Sequence, residues 1–480
     1  MHQPEIAIQP RGSAISGTLS RLVGHGGLIA DEPSRRVFET DATTAHRSLP
    51  FLVILPQTTA EVSRVLKFCS ENNIKVIARG AGTSLCAGAV PSEDAVVVGL
   101  SRMTRILDVN FADRTATVEA GLTGLSISKA VAAENFFYAP DPLSQPACTI
   151  GGNIATNAGG ARSLKYGVTA SNVLKVKMVL MSGEVVELGG DYLDPQGYDL
   201  LGLTFGSEGQ LGIVTEVTVR ILKRAEESIS LLIAFGSPEE ASACTADILA
   251  EGICPSALEF MDKAAIAHCE KAASAGYPLE AGALLILELE GTARAVGDEV
   301  GRIKEIAGRF EPQAFRASRD AAEAIAIWKG RKAAFAAIGQ SGYHFLDPAI
   351  PLGKLPEVLK QIKELGEKYK LEIMSMCRAG DGNLQSVILY NAGDKREKMA
   401  AEECGAEILK LCVDAGGCLT AENGVGLTKR ELMRHQFSEA DLIQRMRVKA
   451  AFDPQWLLNP AKVFPPALRH RISPESAGNG

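Results

Sequence analysis

The chain has 480 residues, 46% of them hydrophobic, and a formal charge of −7. That length and apolar content predict two or three domains with a sizeable core and exclude a disordered chain. The mild acidity, without clustered basic residues, excludes an electrostatic footprint for nucleic acid and a polybasic membrane anchor. No apolar run reaches the ~18 residues of a membrane span, and MHQPEIAIQPRG carries no signal-peptide core, so a cytoplasmic protein is expected. The 10 cysteines form no CxxC pair and read as buried thiols in a reducing compartment rather than zinc or iron–sulfur ligands.

Residues 1–48 read as polar and helical, ending in the turn-rich DATTAHRSLP. A βαβ-like unit follows. FLVILP (51–56) is a buried strand, and the next segment opens with a Thr cap at Thr58 or Thr59. Val62, Val65, Leu66 and Cys69 have amphipathic helix spacing. KVIA (75–78) is the next strand, and AVVVGL, ILDVN and TATVEAG read as short strands separated by turns. After about Arg224, helices rich in Ala, Glu and Lys alternate with the strands SLLIAF, LLILELEG and SVILY, which predicts an α+β unit. The last 60 or so residues return to helix and close with FDPQWLLNPAKVFP.

Three glycine-rich stretches interrupt this pattern. Arg79-Gly80-Ala81-Gly82-Thr83-Ser84 leaves a strand. Alone it reads either as an ordinary turn or as a nest of N–H groups for a pyrophosphate. It lacks the G-x-G-x-x-G spacing of a Rossmann fold. CTIGGNIATNAGGARSLKYG (148–167) is too poor in core residues for a packed strand and reads as backbone wrapped around a large polar ligand. FGSEGQLGIVTEVTVRIL (205–222) places Gly206, Ser207, Gly209 and Gly212 at the mouth of a β-branched strand.

Together with LLNPAKVFP, these stretches resemble the FAD-binding domain of the vanillyl-alcohol oxidase (PCMH) type. The resemblance runs from about 40 to 467 and implies an α+β fold: a PCMH-type FAD domain plus an α+β substrate cap. The expected boundaries are 1–225 for the FAD domain, including a 1–48 extension, and 226–420 for the cap. A segment 421–467 would return to the FAD domain, followed by a 468–480 tail. Carried over by position, Arg79, Gly80, Ala81, Gly82, Thr83 and Ser84 would hold the pyrophosphate. Pro140, Asp141, Ser144, Thr149, Gly151, Gly152 and Asn157 would line the isoalloxazine and ribityl region. Glu208, Gly212, Ile213 and Val214 would meet the adenosine half, and Asn459 belongs to the same cofactor set. The family usually has Thr where Gln210 stands. With no His in the 79–84 loop and Cys148 in an A-C-T-I-G-G context, the resemblance implies non-covalent FAD.

Two further motifs, RAGDGNLQ (378–385) and AENGVG (421–426), resemble those of the FAD-linked 2-hydroxy-acid dehydrogenases. That family includes D-lactate dehydrogenase, D-2-hydroxyglutarate dehydrogenase and the FAD subunit of glycolate oxidase. Its pattern is H-x-G-D-G-N-x-H followed by G-E-H-G. Here Arg378 and Gln385 stand at the two metal-binding histidines and Asn423 at the proton-accepting one, while Asn383 and Glu422 remain. A guanidinium has no lone pair and repels a cation, so no metal is expected. By the resemblance Arg331, in a W-x-x-R segment, would clamp a substrate carboxylate; on its own a lone Arg on a helix is usually a surface charge. Arg378 would supply the metal's positive charge, and Glu422 would act either as base or as half of a structural ion pair. Gln385, Asn383 and His344 complete the expected substrate set, although a lone His also fits an ordinary partly buried residue.

The resemblance therefore implies an FAD-dependent dehydrogenase of a small anionic 2-hydroxy acid, resembling D-lactate or glycolate. With no iron–sulfur motif of its own, the chain would need a redox partner: an iron–sulfur subunit, an electron-transfer flavoprotein, a cytochrome or a quinone, within an oligomer or complex. The alternative is an FAD-binding electron-transfer or structural subunit whose substrate site has lapsed.

Overall fold

A computed structural model describes residues 8–43, 45–192, 197–334, 338 and 342–472. The first part of the chain builds two sheets. β1 (Leu28–Ile29), β2 (Leu52–Ile54), β3 (Lys75–Arg79) and β4 (Ala95–Gly99) lie in the order β1-β2-β4-β3, with β2 and β3 each parallel to β4. The helix Thr59–Glu71 is the crossover that carries the chain from β2 to β3, on the two sides of β4. Its cap is Thr58, whose hydroxyl accepts from the Glu61 N–H, and it buries Val62, Val65, Leu66 and Cys69.

The second sheet is antiparallel. It runs β5 (Ile106–Asn110), β6 (Thr115–Glu119), β10 (Ile213–Arg220), β8 (Val173–Val179) and β9 (Val185–Gly189). The short pair β7 (Phe136–Phe137) and β11 (Leu222–Lys223) lies beside it. Residues 1–48 are less helical than expected: Ile8–Leu22 is the long helix, and Leu28–Ile29 contributes a sheet edge. The expectation for residues 1–7 and 473–480 lies outside the described residues.

From Glu227 a single antiparallel sheet takes over. Its members are β12 (Glu227–Phe235), β13 (Ala257–Asp262), β14 (Ala283–Gly291), β15 (Ala314–Ala317), β16 (Gly342–Leu346), β17 (Glu372–Arg378) and β18 (Asn383–Tyr390). Their order is β15-β12-β14-β13-β17-β18-β16. Side chains alternate between faces along a strand. One face, with Leu258, Phe260, Leu285 and Ile388, packs under helices such as Leu355–Tyr369 and Lys395–Asp414. The other carries Met261, Met374, Met376 and Val387. It is also the face that bears Glu259, Arg378 and Gln385, at positions alternating with Phe260, Cys377 and Leu384.

The 421–467 segment divides. Val425, Met433, Leu442 and Met446 join the core of the seven-stranded sheet. Leu457 and Leu458 join the core of the first two sheets, and Leu458 bridges Val76 on β3. Among the described residues no helix is long and apolar enough to cross a membrane.

Candidate active site

A cleft with about 1420 Å³ of empty space, its open mouth included, lies where the glycine segments meet the seven-stranded sheet. All of Arg79 to Ser84 line it. The loop turns at Gly82, whose φ of +70° favours glycine. The Arg79 guanidinium is turned back, donating to the Thr40 carbonyl at 2.7 Å and stacking over Phe38. The loop therefore offers its backbone to the cleft, as an anion-binding nest requires.

The 148–157 stretch is not wrapped loop, as its glycine content suggested, but a short helix, Ile150–Thr156. Thr149 caps it, its hydroxyl accepting from the Gly152 N–H at 3.2 Å. Thr149, Gly151, Gly152 and Ser144 line the cleft. Gly151 lies so close to β6 that a Cβ there would meet the Ala120 methyl at 2.9 Å.

Three of the expected cofactor residues lie elsewhere. Pro140 is buried behind the wall. Asp141 accepts from the Arg162 N–H at 3.1 Å, and burial pushes its carboxyl up to about 6. Asn157 ends the helix at φ 49°, its Oδ1 accepting from the Ala170 N–H at 3.0 Å. These two side chains shape the backbone rather than face a ligand.

Glu208, Gly212, Ile213, Val214 and Asn459 do line the cleft. Glu208 is a strut: its carboxylate accepts the N–H groups of Val425 (2.6 Å) and Gly426 (2.8 Å). Asn459 accepts from the Ala78 N–H and donates to the carbonyls of Glu208 and Gly209. Gln210, the departure noted above, donates to the Asn459 carbonyl at 2.9 Å and so helps hold that segment.

The opposite wall carries Phe345, Gln385, Glu422 and Asn423. Glu422 accepts from Arg378 Nη1 at 2.7 Å and from Gln385 Nε2 at 2.9 Å. Gln385 Oε1 in turn accepts from Arg331 Nη2 at 2.7 Å, and Arg331 Nε donates to Glu259 at 3.0 Å. Arg331 and Arg378, only 1% and 4% exposed, stand behind this wall. Arg331, expected as a carboxylate clamp, has its Nε engaged by Glu259 and its Nη2 by Gln385, while Nη1 has no partner among the described residues. Arg378 likewise acts through Glu422 and Asp381 rather than facing the cleft.

Asn423 is at the wall, but its amide donates to Asp347 at 3.1 Å. An amide nitrogen is no proton acceptor, so Asn423 does not replace the family's histidine as base. Asn383 is fully buried, away from the wall. His344 is also corrected. Strand alternation turns Phe345 to the cleft and His344 to the opposite face, where its ring lies against Gly405. Burial and Lys429 hold that imidazole down to about 4, so it stays neutral.

Arg331 Nη1, Arg378 Nε and both amide atoms of Asn383 are buried without a hydrogen-bond partner among the described residues. Such groups cost about 1–3 kcal/mol each, and in native proteins they concentrate where function demands them. The donor set does not fit a divalent cation. Both oxygens of Glu422 face N–H donors, one of them a permanent cation.

Two family profiles match the chain: "FAD binding domain" over residues 50–189 and "FAD linked oxidases, C-terminal domain" over 224–463. The chain belongs to the FAD-linked oxidases.

Among its relatives, the glycolate oxidase subunit GlcD of Escherichia coli K12 is 43% identical, covering 89% of this chain and 86% of that protein. GlcD of Bacillus subtilis is 35% identical, over 95% and 98%. A D-lactate dehydrogenase of Archaeoglobus fulgidus is 33% identical, over 89% and 95%. The fold is that of p-cresol methylhydroxylase, with a TM-score of 0.80 at 15% identity, covering 96% of this chain and 98% of that one. This FAD-linked oxidase is thus a flavoprotein oxidoreductase with a PCMH-type fold and FAD as its cofactor.

The cleft suits that cofactor. It joins a backbone nest to an apolar stretch at Leu100, Met178, Ile213 and Val214. Gly212 leaves room for no side chain, since a Cβ there would stand 2.6 Å from Met178 Cγ. Sequence reasoning missed Met178, Cys86 and Phe345 at the wall and Glu259 and Asp347 behind it. The two carboxylates carried a signal: each interrupts an apolar run, ALEFM and FLDP, where a charge must be paired.

Proposed function

We propose that this FAD-linked oxidase oxidises a small 2-hydroxy acid, resembling glycolate or D-lactate, and passes the electrons to a separate acceptor protein or quinone. The activities named for its relatives support the substrate class. The observation that carries the reading is Glu422, a carboxylate on the wall of the cofactor cleft. Glu208, the other carboxylate on the wall, is tied to backbone N–H groups.

FAD, when bound, accepts a hydride from the carbon that bears the hydroxyl. The chain's own residues do the rest. Glu422 takes the hydroxyl proton: each of its oxygens accepts one N–H and keeps a lone pair for the substrate. Gln385 and Arg378 hold that carboxylate in place. We assign the pyrophosphate to the 79–84 backbone, the ring and ribityl to Ser144, Thr149, Gly151 and Gly152, and the adenosine half to Gly212–Val214, Glu208 and Asn459. The cofactor is held without a covalent bond. The first two sheets form the FAD domain, the seven-stranded sheet forms the cap, and the chain works in the cytoplasm within a complex.

The test is anaerobic titration of the purified holoprotein with a panel of 2-hydroxy acids. Bleaching of the flavin band by one of them is the expected result. A flavin that no 2-hydroxy acid reduces, yet dithionite does, supports the second reading, an FAD-holding subunit without substrate chemistry. That reading draws on the two donors already engaged by Glu422.

A further inference from the structure

The amide of Gln385 has one possible orientation. A guanidinium only donates and a carboxylate only accepts. Gln385 lies between Arg331 and Glu422, so its oxygen must face Arg331 and its nitrogen must face Glu422. The donor pattern at the cleft wall is therefore set from behind.

Glu259 stands at the far end of this line. It sits mid-strand on β13, is 2% exposed, and pairs in register with Arg378 on β17. Its Oε2 accepts from Arg331 Nε at 3.0 Å. The line Glu259–Arg331–Gln385–Glu422 is unbroken, with separations of 3.0, 2.7 and 2.9 Å. A buried guanidinium needs a counter-charge, and Glu259 is the carboxylate Arg331 has. The other acids of the cluster, Asp381 and Glu422, are already on Arg378. Without Glu259, Arg331 would compete for Glu422.

We infer that Glu259 is a positioning residue for the proton acceptor Glu422, acting through Arg331 and the orientation of the Gln385 amide. The catalytic role of Glu422 rests on the function proposed above; the relay itself is a property of the fold. Other ionisable groups facing Glu422 are Arg378, itself paired with Asp381, Asp347 with its partner Lys429 beneath the turn, and Cys148 across the cleft.

The experiment uses the holoprotein without substrate. The pH midpoint of Glu422 is read as the infrared carboxyl band that Glu422→Gln abolishes. Glu259→Gln keeps the shape but leaves Arg331 only a neutral acceptor there, so the guanidinium draws harder on the Gln385 oxygen, the Gln385 N–H becomes a stronger donor, and the Glu422 carboxylate is stabilised. Its midpoint should fall. With an active substrate, the acid limb of the kcat profile should move the same way. kcat should fall roughly tenfold, with KM little changed, since a general base contributes on the order of 10²–10⁴.

In a Gln385→Leu background the shift should shrink, because the relay is cut. An equal shift there would mean a through-space effect and would overturn the relay, as would a Glu259→Gln protein with a lower Tm but an unmoved midpoint. If Glu259→Gln does not fold, Gln385→Leu alone decides. It removes one donor from Glu422 and must raise the midpoint; an unchanged midpoint overturns the inference. A midpoint that moves in a protein no hydroxy acid reduces leaves the relay standing and removes only the proposed function.

Discussion

Asn423 bonds Asp347 twice, through its backbone N–H at 2.8 Å and through Nδ2 at 3.1 Å. Asp347 also accepts from Glu422 N and Thr420 Oγ1 and pairs with buried Lys429. One carboxylate thereby holds the whole turn that presents Glu422. Asn423→Ala keeps the backbone bond and loses the amide one, and should cost about 1.5–3 kcal/mol, the range for a bond to a charged group. Asp347→Ala strands Lys429 and should cost about 3–5 kcal/mol. Urea midpoints of the two variants check the order.

Gly82→Ala should impair cofactor binding. Its φ of +70° is unfavourable for alanine, and the new Cβ would collide with the Arg79 guanidinium. The strain is about 1–3 kcal/mol, which predicts roughly ten- to a hundredfold weaker FAD binding at ~1.4 kcal/mol per tenfold. Flavin content after dialysis measures it. In the parent protein, acid precipitation should release all the flavin into the supernatant.

Asp262 predicts a pH dependence of stability. It caps the helix Lys263–Ala273, accepting from the Ala265 N–H at 2.7 Å and the Ser375 N–H at 2.8 Å. Burial nonetheless pushes its carboxyl up from 3.8 to about 7. A group raised in the folded state gives stability that is present below the unfolded value and is lost as pH rises through the folded one. Stability should therefore decline between about pH 4 and pH 7, by a few kcal/mol at ~1.4 per unit. Asp141, raised to about 6, adds to the same decline. Denaturation midpoints across that range should fall less in Asp262→Asn than in the parent.

Arg331→Ala should act first on folding. It leaves Glu259 buried without its counter-charge, at a cost of about 3–5 kcal/mol. The double variant Arg331→Ala/Glu259→Ala should recover part of that loss, because neither charge then remains alone. Thermal unfolding of the two single variants and the double variant gives the coupling.

Much of the cofactor cleft was legible because glycine declares itself. Arg79 to Ser84 and Gly212 to Val214 all line the cleft. Motif positions whose side chains matter fared differently. Asn157 and His344 stand next to wall residues in sequence, yet a helix end and strand alternation turn them away. The substituted residues Arg378 and Gln385 could be located but not interpreted from sequence. Their meaning depends on Glu259 and Arg331, which approach from β13 and the helix Ala321–Lys332. Sheet order, invisible in a sequence without an alignment, brings them together.

β3 leads directly into the 79–84 loop, and its outer edge is closed from far along the chain. Val76 donates to the Leu457 carbonyl and accepts from the Asn459 N–H, each at 2.8 Å, while Ala78 reaches Asn459 Oδ1 across 381 residues. On the ribosome that edge stays open for tens of seconds while the intervening sequence is made, at roughly 5–20 residues per second. An open parallel strand is a template for wrong pairing. Protection of that edge from aggregation therefore waits on a late arrival, Leu457 to Asn459.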